Sequence, residues 1–121
     1  MNQSFPKTQK LKSRKAIAQL FDEGKTVTKF PIKVFYLPQQ DYLENKAAFA
    51  IPKRNFKLAV SRNRLKRQLR EAYRLKKETL EGNTSTKFAL LFLYLGKTNV
   101  PYDQIEKAVT VLLKKLTDEN N

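Results

Sequence analysis

The 121-residue sequence contains no cysteine and no histidine. Their absence removes the usual ligands of a zinc site, which Asp and Glu alone do not build. It also excludes cysteine nucleophiles, Ser-His-Asp triads and histidine general bases. No disulfide can form, in keeping with a reducing compartment. Acids are scarce too, with 11 Asp and Glu against 25 Lys and Arg. They are scattered, from Asp22 and Glu23 through Asp41, Glu44 and Glu71 to Asp118 and Glu119. Their spacing brings no three to one pocket, so a self-contained two-metal nuclease is not expected. No apolar run approaches the roughly 18 residues of a membrane-spanning helix. No apolar stretch near Met1 reads as a secretory signal, so a cytoplasmic protein is expected.

What is present is positive charge on a foldable chain. The formal charge is +14 and the pI about 10.1, a balance that points to nucleic acid or an anionic membrane surface. A hydrophobic content of 40%, with 8 Phe and 5 Tyr, indicates a folded domain rather than a disordered basic tail. The length suits one domain with a modest core.

Residues 53–77 organise the rest. Eleven of them are Lys or Arg, and one, Glu71, is acidic. From Ser61 onward Leu65, Leu69, Ala72, Tyr73 and Leu80 recur with a helical period. Ser61 is the expected N-cap, and no Pro or Gly intervenes before Gly82. With Leu65 at 0° and about 100° per residue, the other four fall within about 80° of it. Asn63, Lys66, Arg67, Arg70, Arg74 and Lys77 fall between roughly 100° and 200°. One face packs, and the other presents a row of cations about 20 Å long. Those charges repel one another, with Glu71 as an i,i+4 partner for Arg67 the sole compensating acid. A polyanion covering the row removes that cost and releases counterions. A face serving only solubility would mix signs.

In chain order, residues 1–12 read as an irregular basic arm whose Phe5 and Leu11 can tuck against the core and whose Lys7, Lys10 and Lys12 can touch a phosphate backbone. Ser13 caps a short helix to Glu23, with Ile17, Leu20 and Phe21 on one face and Gly24 as a left-handed C′ residue. Lys25 to Leu37 carries a strand with Ile32, Val34 and Tyr36 on one side and Lys33, Phe35 and Leu37 on the other. Phe35 beside Lys33 is a candidate platform for an unpaired base, or else a ring covered by a helix. Lys46 to Ile51 reads as a second strand, antiparallel to the first, and residues 57–60 as a brief third. The basic helix runs to about Leu80. Phe88 to Leu95 is a central strand buried on both faces. Pro101 opens a last helix that packs through Ile105, Ala108, Val109, Leu112 and Leu116. Residues 117–121 should fray. No repeat or linker divides the chain, so residues 1–121 read as a single α+β domain with helices on a small sheet.

The run Arg62-Asn63-Arg64-Leu65-Lys66-Arg67-Gln68-Leu69-Arg70-Glu71 resembles the motif Arg-Asn-x-x-Lys-Arg-x-x-Arg-Glu of the bacterial ribonuclease P protein subunit. Lys10-Leu11, Phe21, Gly24, Lys53-Arg54, Ala59-Val60 and Pro101-Tyr102 follow in the family's order, so the likeness spans about residues 8–116. It implies an α-β-β-β-α-β-α fold: three helices on a small, mostly antiparallel four-stranded sheet, with a left-handed βαβ crossover. It implies that the protein is a non-catalytic subunit. Its partner, the ribonuclease P RNA, holds the Mg2+ ions and removes the 5′ leader of precursor tRNA. No membrane and no small-molecule cofactor are implied. Arg62, Asn63, Arg64, Lys66, Arg67, Arg70 and, by its place in the row, Arg74 would face the catalytic RNA. Ile17, Phe21, Lys33, Phe35, Lys53 and Arg54 would line a cleft for the single-stranded leader, with no catalytic residue and no metal ligand in the protein.

Three features depart from the family pattern. Ile17 stands where the family has an aromatic residue. The loop Asn55-Phe56-Lys57-Leu58 is one residue longer and lacks Gly. Leu93-Tyr94-Leu95-Gly96 replaces a strand end that carries an Arg. A structural RNA-binding protein, such as a ribosomal component, is the alternative that charge and size allow. A major-groove DNA binder would need a partner helix that the flanking strands do not offer.

Overall fold

The computed structural model describes residues 7–82 and 84–119. Phe5 and residues 120–121, which carried expectations above, lie outside them. A single turn over Lys7–Gln9 precedes α1 (Arg14–Glu23), β1 (Lys25–Lys29), β2 (Ile32–Pro38) and β3 (Lys46–Ala50). Then come α2 (Ala59–Lys76), the one-turn α3 (Glu78–Glu81), β4 (Phe88–Tyr94) and α4 (Tyr102–Glu119). The strand order is β1-β2-β4-β3. β1 with β2 and β2 with β4 are antiparallel, and β3 with β4 is parallel. The α+β class, the four-stranded sheet and the order of helices and strands match the expectation.

The amphipathic periods build the core. Leu65, Leu69, Ala72 and Tyr73 of α2 are fully buried. So are Ile105, Val109, Leu112, Leu113 and Leu116 of α4. Both stripes pack on one face of the sheet, where Ile32, Val34, Tyr36, Leu90, Phe92 and Tyr94 point. Successive side chains of a strand alternate between faces. Phe35, Leu37, Ala89 and Leu91 therefore point the other way, where they meet Leu11, Ile17 and Leu20 in a second, smaller cluster. This second face is where the chain has a site to offer.

Several local expectations are corrected. The stretch Lys25–Leu37 is a hairpin, not one strand: it reverses at Phe30-Pro31, whose peptide bond is cis. β3 is not an antiparallel neighbour of β2. It pairs with β4, from Lys46 opposite Ala89 to Ala50 opposite Leu93. A local rule pairs consecutive strands, but the wholly apolar β4 takes the central place and leaves β3 the edge. Residues 57–60 form no strand, because α2 already begins at Ala59 with Leu58 at the cap. Ser61 therefore sits inside the helix. Gly24 is not left-handed, with φ −70° and ψ 154°. Thr117 does not fray: it is buried, and its hydroxyl donates to the Leu113 carbonyl at 2.9 Å and the Thr79 carbonyl at 3.2 Å. The end of the arm is docked, since the Leu11 N–H donates to the Ala47 carbonyl at 2.9 Å.

Candidate nucleic-acid interface

Two surfaces carry the residues singled out above. On α2, Asn63, Arg64, Lys66 and Arg67 are exposed, and Arg70 and Arg74 are half-buried beside the packed seam. Glu71 does not serve Arg67. It accepts from Arg74 Nε at 3.0 Å and Nη2 at 2.7 Å, a two-pronged i,i+3 pair that holds the Glu71 carboxyl below its ordinary pKa. Among the described residues this is the ion pair of the helix, so Lys66, Arg67 and Arg70 keep an uncompensated row. Lys77 leaves that row: the helix breaks there, and its ammonium donates to Gln9 Oε1 at 2.8 Å.

Arg62 behaves differently from its neighbours. At about 60° from Leu65 on the helical wheel it sits at the margin of the packing face. Its Nη1 donates to the Phe56 carbonyl at 2.6 Å and the Lys57 carbonyl at 2.9 Å. The guanidinium thus ties down the loop between β3 and α2. It is turned toward its own chain, and Asn63 and Arg64 are what the start of the motif leaves exposed.

The second surface is the α1 side of the sheet. The cross-strand register sets two rows on it. One runs Thr26, Phe35, Leu91, Ala48, and the next runs Thr28, Lys33, Leu93, Ala50. Through Ile17 and Leu20, α1 covers the first row and the Leu37 and Ala89 positions beyond it. The second row stays open, with Lys33, Leu93 and Ala50 half-buried and Thr28 exposed. This open row lies at the end of the sheet where β2 begins and β3 and β4 finish. Lys53 and Arg54 are exposed in the turn just after β3, at that same end.

At the border between covered and open rows stand Phe21 and Phe35. Their ring centroids are 4.8 Å apart at an interplanar angle of 64°. Lys33 Nζ lies 5.1 Å from the Phe35 centroid, within cation–π range. Phe35 is half-buried, whereas Phe21 is 54% exposed. Of the two rings, Phe21 is the more open to a stacking base. The cleft residues Ile17, Phe21, Lys33 and Phe35 are thus brought together, while Lys53 and Arg54 sit at the mouth. Sequence reasoning missed the floor of the open row. Leu93 was taken as buried on both sides because the apolar run of β4 carries no mark of which position lies beyond the helix.

Comparison with known proteins decides the family. The family model for ribonuclease P matches residues 5–117. The chain belongs to the ribonuclease P protein family. A ribonuclease P protein component of Porphyromonas gingivalis is 39% identical over 79 residues, covering 61% of this chain and 56% of that protein. The match thus spans little more than half the length of that relative. One from Caldanaerobacter subterraneus subsp. tengcongensis is 31% identical over 110 residues and covers 90% of each chain. The fold is that of the RNase P protein from Thermotoga maritima, with a TM-score of 0.74, 21% identity and coverage of 88% of this chain and 96% of the other. The Staphylococcus aureus RNase P protein gives a TM-score of 0.73 at 17% identity, covering 89% and 94%. Among the described residues no helix is long and apolar enough to cross a membrane.

Proposed function

We propose that this chain is the protein subunit of a ribonuclease P, a single RNA-binding domain working in the cytoplasm. The observation that carries the reading is the row Lys66, Arg67, Arg70, raised on a fully buried helical seam and, among the described residues, left without carboxylate partners. Such a row is costly in isolation and matches a structured phosphate backbone. The α2 face therefore takes the ribonuclease P RNA. The open row of the sheet, with aromatic rings at its border and cations at its mouth, takes the unpaired 5′ leader of precursor tRNA. An apolar floor suits splayed bases, and the lysines and arginines suit their phosphates.

The reaction is hydrolysis of one phosphodiester, leaving a 5′-phosphate on the tRNA. This chain's residues bind, orient and screen charge. Mg2+ supplies the electrophilic chemistry in the RNA. Among the described residues no three Asp or Glu gather closely enough to hold an ion. By neutralising RNA phosphates the protein lowers the magnesium that the RNA needs to fold and cleave.

Reconstitution tests the reading. The chain, mixed with a bacterial ribonuclease P RNA and precursor tRNA at low magnesium, should cleave the leader faster than RNA alone. No acceleration would leave a general RNA-binding role. Cleavage by the polypeptide without RNA would place the chemistry in the protein and overturn the division of labour.

A further inference from the structure

A pocket beside the edge strand β3 joins the arm to the basic helix. It has a volume of about 290 Å³ and is lined in part by Lys10, Leu11, Lys12, Ala47, Lys66 and Arg70. Four cations surround it, and among the described residues no carboxylate lines it. Lys10 and Lys12 come from the arm, and Lys66 and Arg70 come from one face of α2, one turn apart.

The arm is held in place at this point. Lys10 forms a parallel bridge with Ala47, and the Leu11 N–H reaches the Ala47 carbonyl at 2.9 Å. Leu11 is buried in the α1-side cluster. In an extended segment the residues on either side of a buried one share the opposite direction. Lys10 and Lys12 both reach the pocket for that reason. Upstream, Gln9 donates to Glu44 at 3.2 Å and accepts from Lys77 at 2.8 Å, a second tether.

We propose that this pocket is a phosphodiester site for the catalytic RNA, in which the arm and α2 close on one stretch of its backbone. The inference rests on the ribonuclease P reading of the α2 row and extends it. The ligand is backbone phosphate because Lys66 and Arg70 belong to the row and to the pocket alike. A strand following the row is carried into the pocket, where Lys10 and Lys12 meet it from the other side. Four cations crowded without a counter-charge repel one another, and a phosphate among them relieves that repulsion.

The test uses the full chain and a bacterial ribonuclease P RNA, with affinity measured across a salt series. Lys10→Gln with Lys12→Gln is compared with Lys107→Gln with Lys114→Gln, the same charge change on the exposed side of α4. The arm variant should bind about tenfold more weakly than the α4 variant, with a salt slope smaller by about one. Lys10→Arg with Lys12→Arg should restore both. Thermal melting of the four-lysine set should coincide, since none of these side chains is buried. Equal losses for the arm and α4 variants would overturn the pocket. The α2 reading would still stand if Arg67→Ala with Arg70→Ala weakens binding, so the two failures are distinguishable. A loss confined to leader-bearing precursor tRNA would overturn the assignment to the catalytic RNA.

Discussion

Phe21 of α1 meets Phe35 of β2 edge to face, with centroids 4.8 Å apart. The contact joins the helix to the sheet at the line where the covered half of that face gives way to the open half. It also divides the labour between the rings. Phe35 is hemmed in by Phe21 and by the Lys33 ammonium, while Phe21 keeps more than half of its surface in solvent. Phe21→Ala should therefore weaken precursor tRNA by about 1–3 kcal/mol, the worth of one base–aromatic stack, and leave mature tRNA untouched. Phe35→Ala should cost leader affinity too, together with some stability, because it removes packing under α1. Equal losses on precursor and mature tRNA for Phe21→Ala would mean that the ring only packs.

On α2 the ion pair separates residues that look alike in sequence. Arg67 and Arg70 have no carboxylate partner among the described residues, whereas Arg74 is held by Glu71 at 2.7 Å. Arg67→Ala with Arg70→Ala should reduce the salt slope of ribonuclease P RNA binding by roughly two. Arg74→Ala alone should reduce it by less than one, because its charge is already partly neutralised. Salt-dependent titrations measure both, and a slope unchanged by the double variant counts against the assigned face.

Arg62 should not behave as a phosphate contact. Its two hydrogen bonds to the Phe56 and Lys57 carbonyls hold the loop that leads from the sheet to α2. Arg62→Ala should destabilise the fold by about 1.5–3 kcal/mol, the range for hydrogen bonds to a charged group, with the salt slope nearly unchanged. Arg62→Lys should rescue part of it, since both bonds leave the one Nη1 atom and an ammonium carries several donors on one nitrogen. Denaturant melts beside RNA titrations decide it: a normal melt with a reduced slope would return Arg62 to the RNA face.

Much of this could be read from residue order alone, and the failures share a cause. The seams of α2 and α4 and the alternation Ile32, Val34, Tyr36 were legible because burial on one side leaves a period in the chain. The pairing of β3 with β4 was not, because it joins residues some forty positions apart and leaves no local pattern. The reversal at Phe30-Pro31 was missed because the usual hairpin dipeptides are lacking. Arg62 was a subtler case. Its wheel angle already set it at the packing margin, yet the motif grouped it with the RNA-facing cations. Lys10 and Lys12 were noticed as charges, but their convergence with Lys66 and Arg70 depends on the bridge to Ala47.

The arm should loosen in acid. Hydrogen bonds from Thr8 and then Gln9 hold the Glu44 carboxyl below its ordinary pKa, aided by Lys77 and Lys46. A carboxylate whose folded pKa is depressed contributes stability above its unfolded value, near 4.3, and loses it as the pH falls through the folded value. The Leu11 amide, bonded to Ala47, reports the docking. Its NMR shift should hold steady from neutral pH down to about pH 4 and move below that. Glu44→Gln should flatten the titration, and a Leu11 shift that moves identically in the variant would remove Glu44 from the account.

Gly24 sits where the last turn of α1 meets the sheet. Its φ and ψ suit any residue, so the requirement is one of space. A Cβ there would press on the Leu20 carbonyl oxygen, in the last turn of α1 itself, and lie 3.2 Å from the Tyr36 carbonyl oxygen of β2. Both obstacles are backbone, which cannot swing aside as a side chain can. Gly24→Ala must therefore distort the last turn of α1, whose own Leu20 carbonyl is the nearer obstacle, and shift its end against β2, at a cost of about 1–3 kcal/mol typical of overpacking. The movement carries Phe21 away from Phe35 but leaves α2, on the other face of the sheet, in place. Discrimination between precursor and mature tRNA should therefore fall by more than affinity for the catalytic RNA. A variant that melts like the parent and keeps its leader discrimination would show that the close approach at Gly24 does not position the cleft.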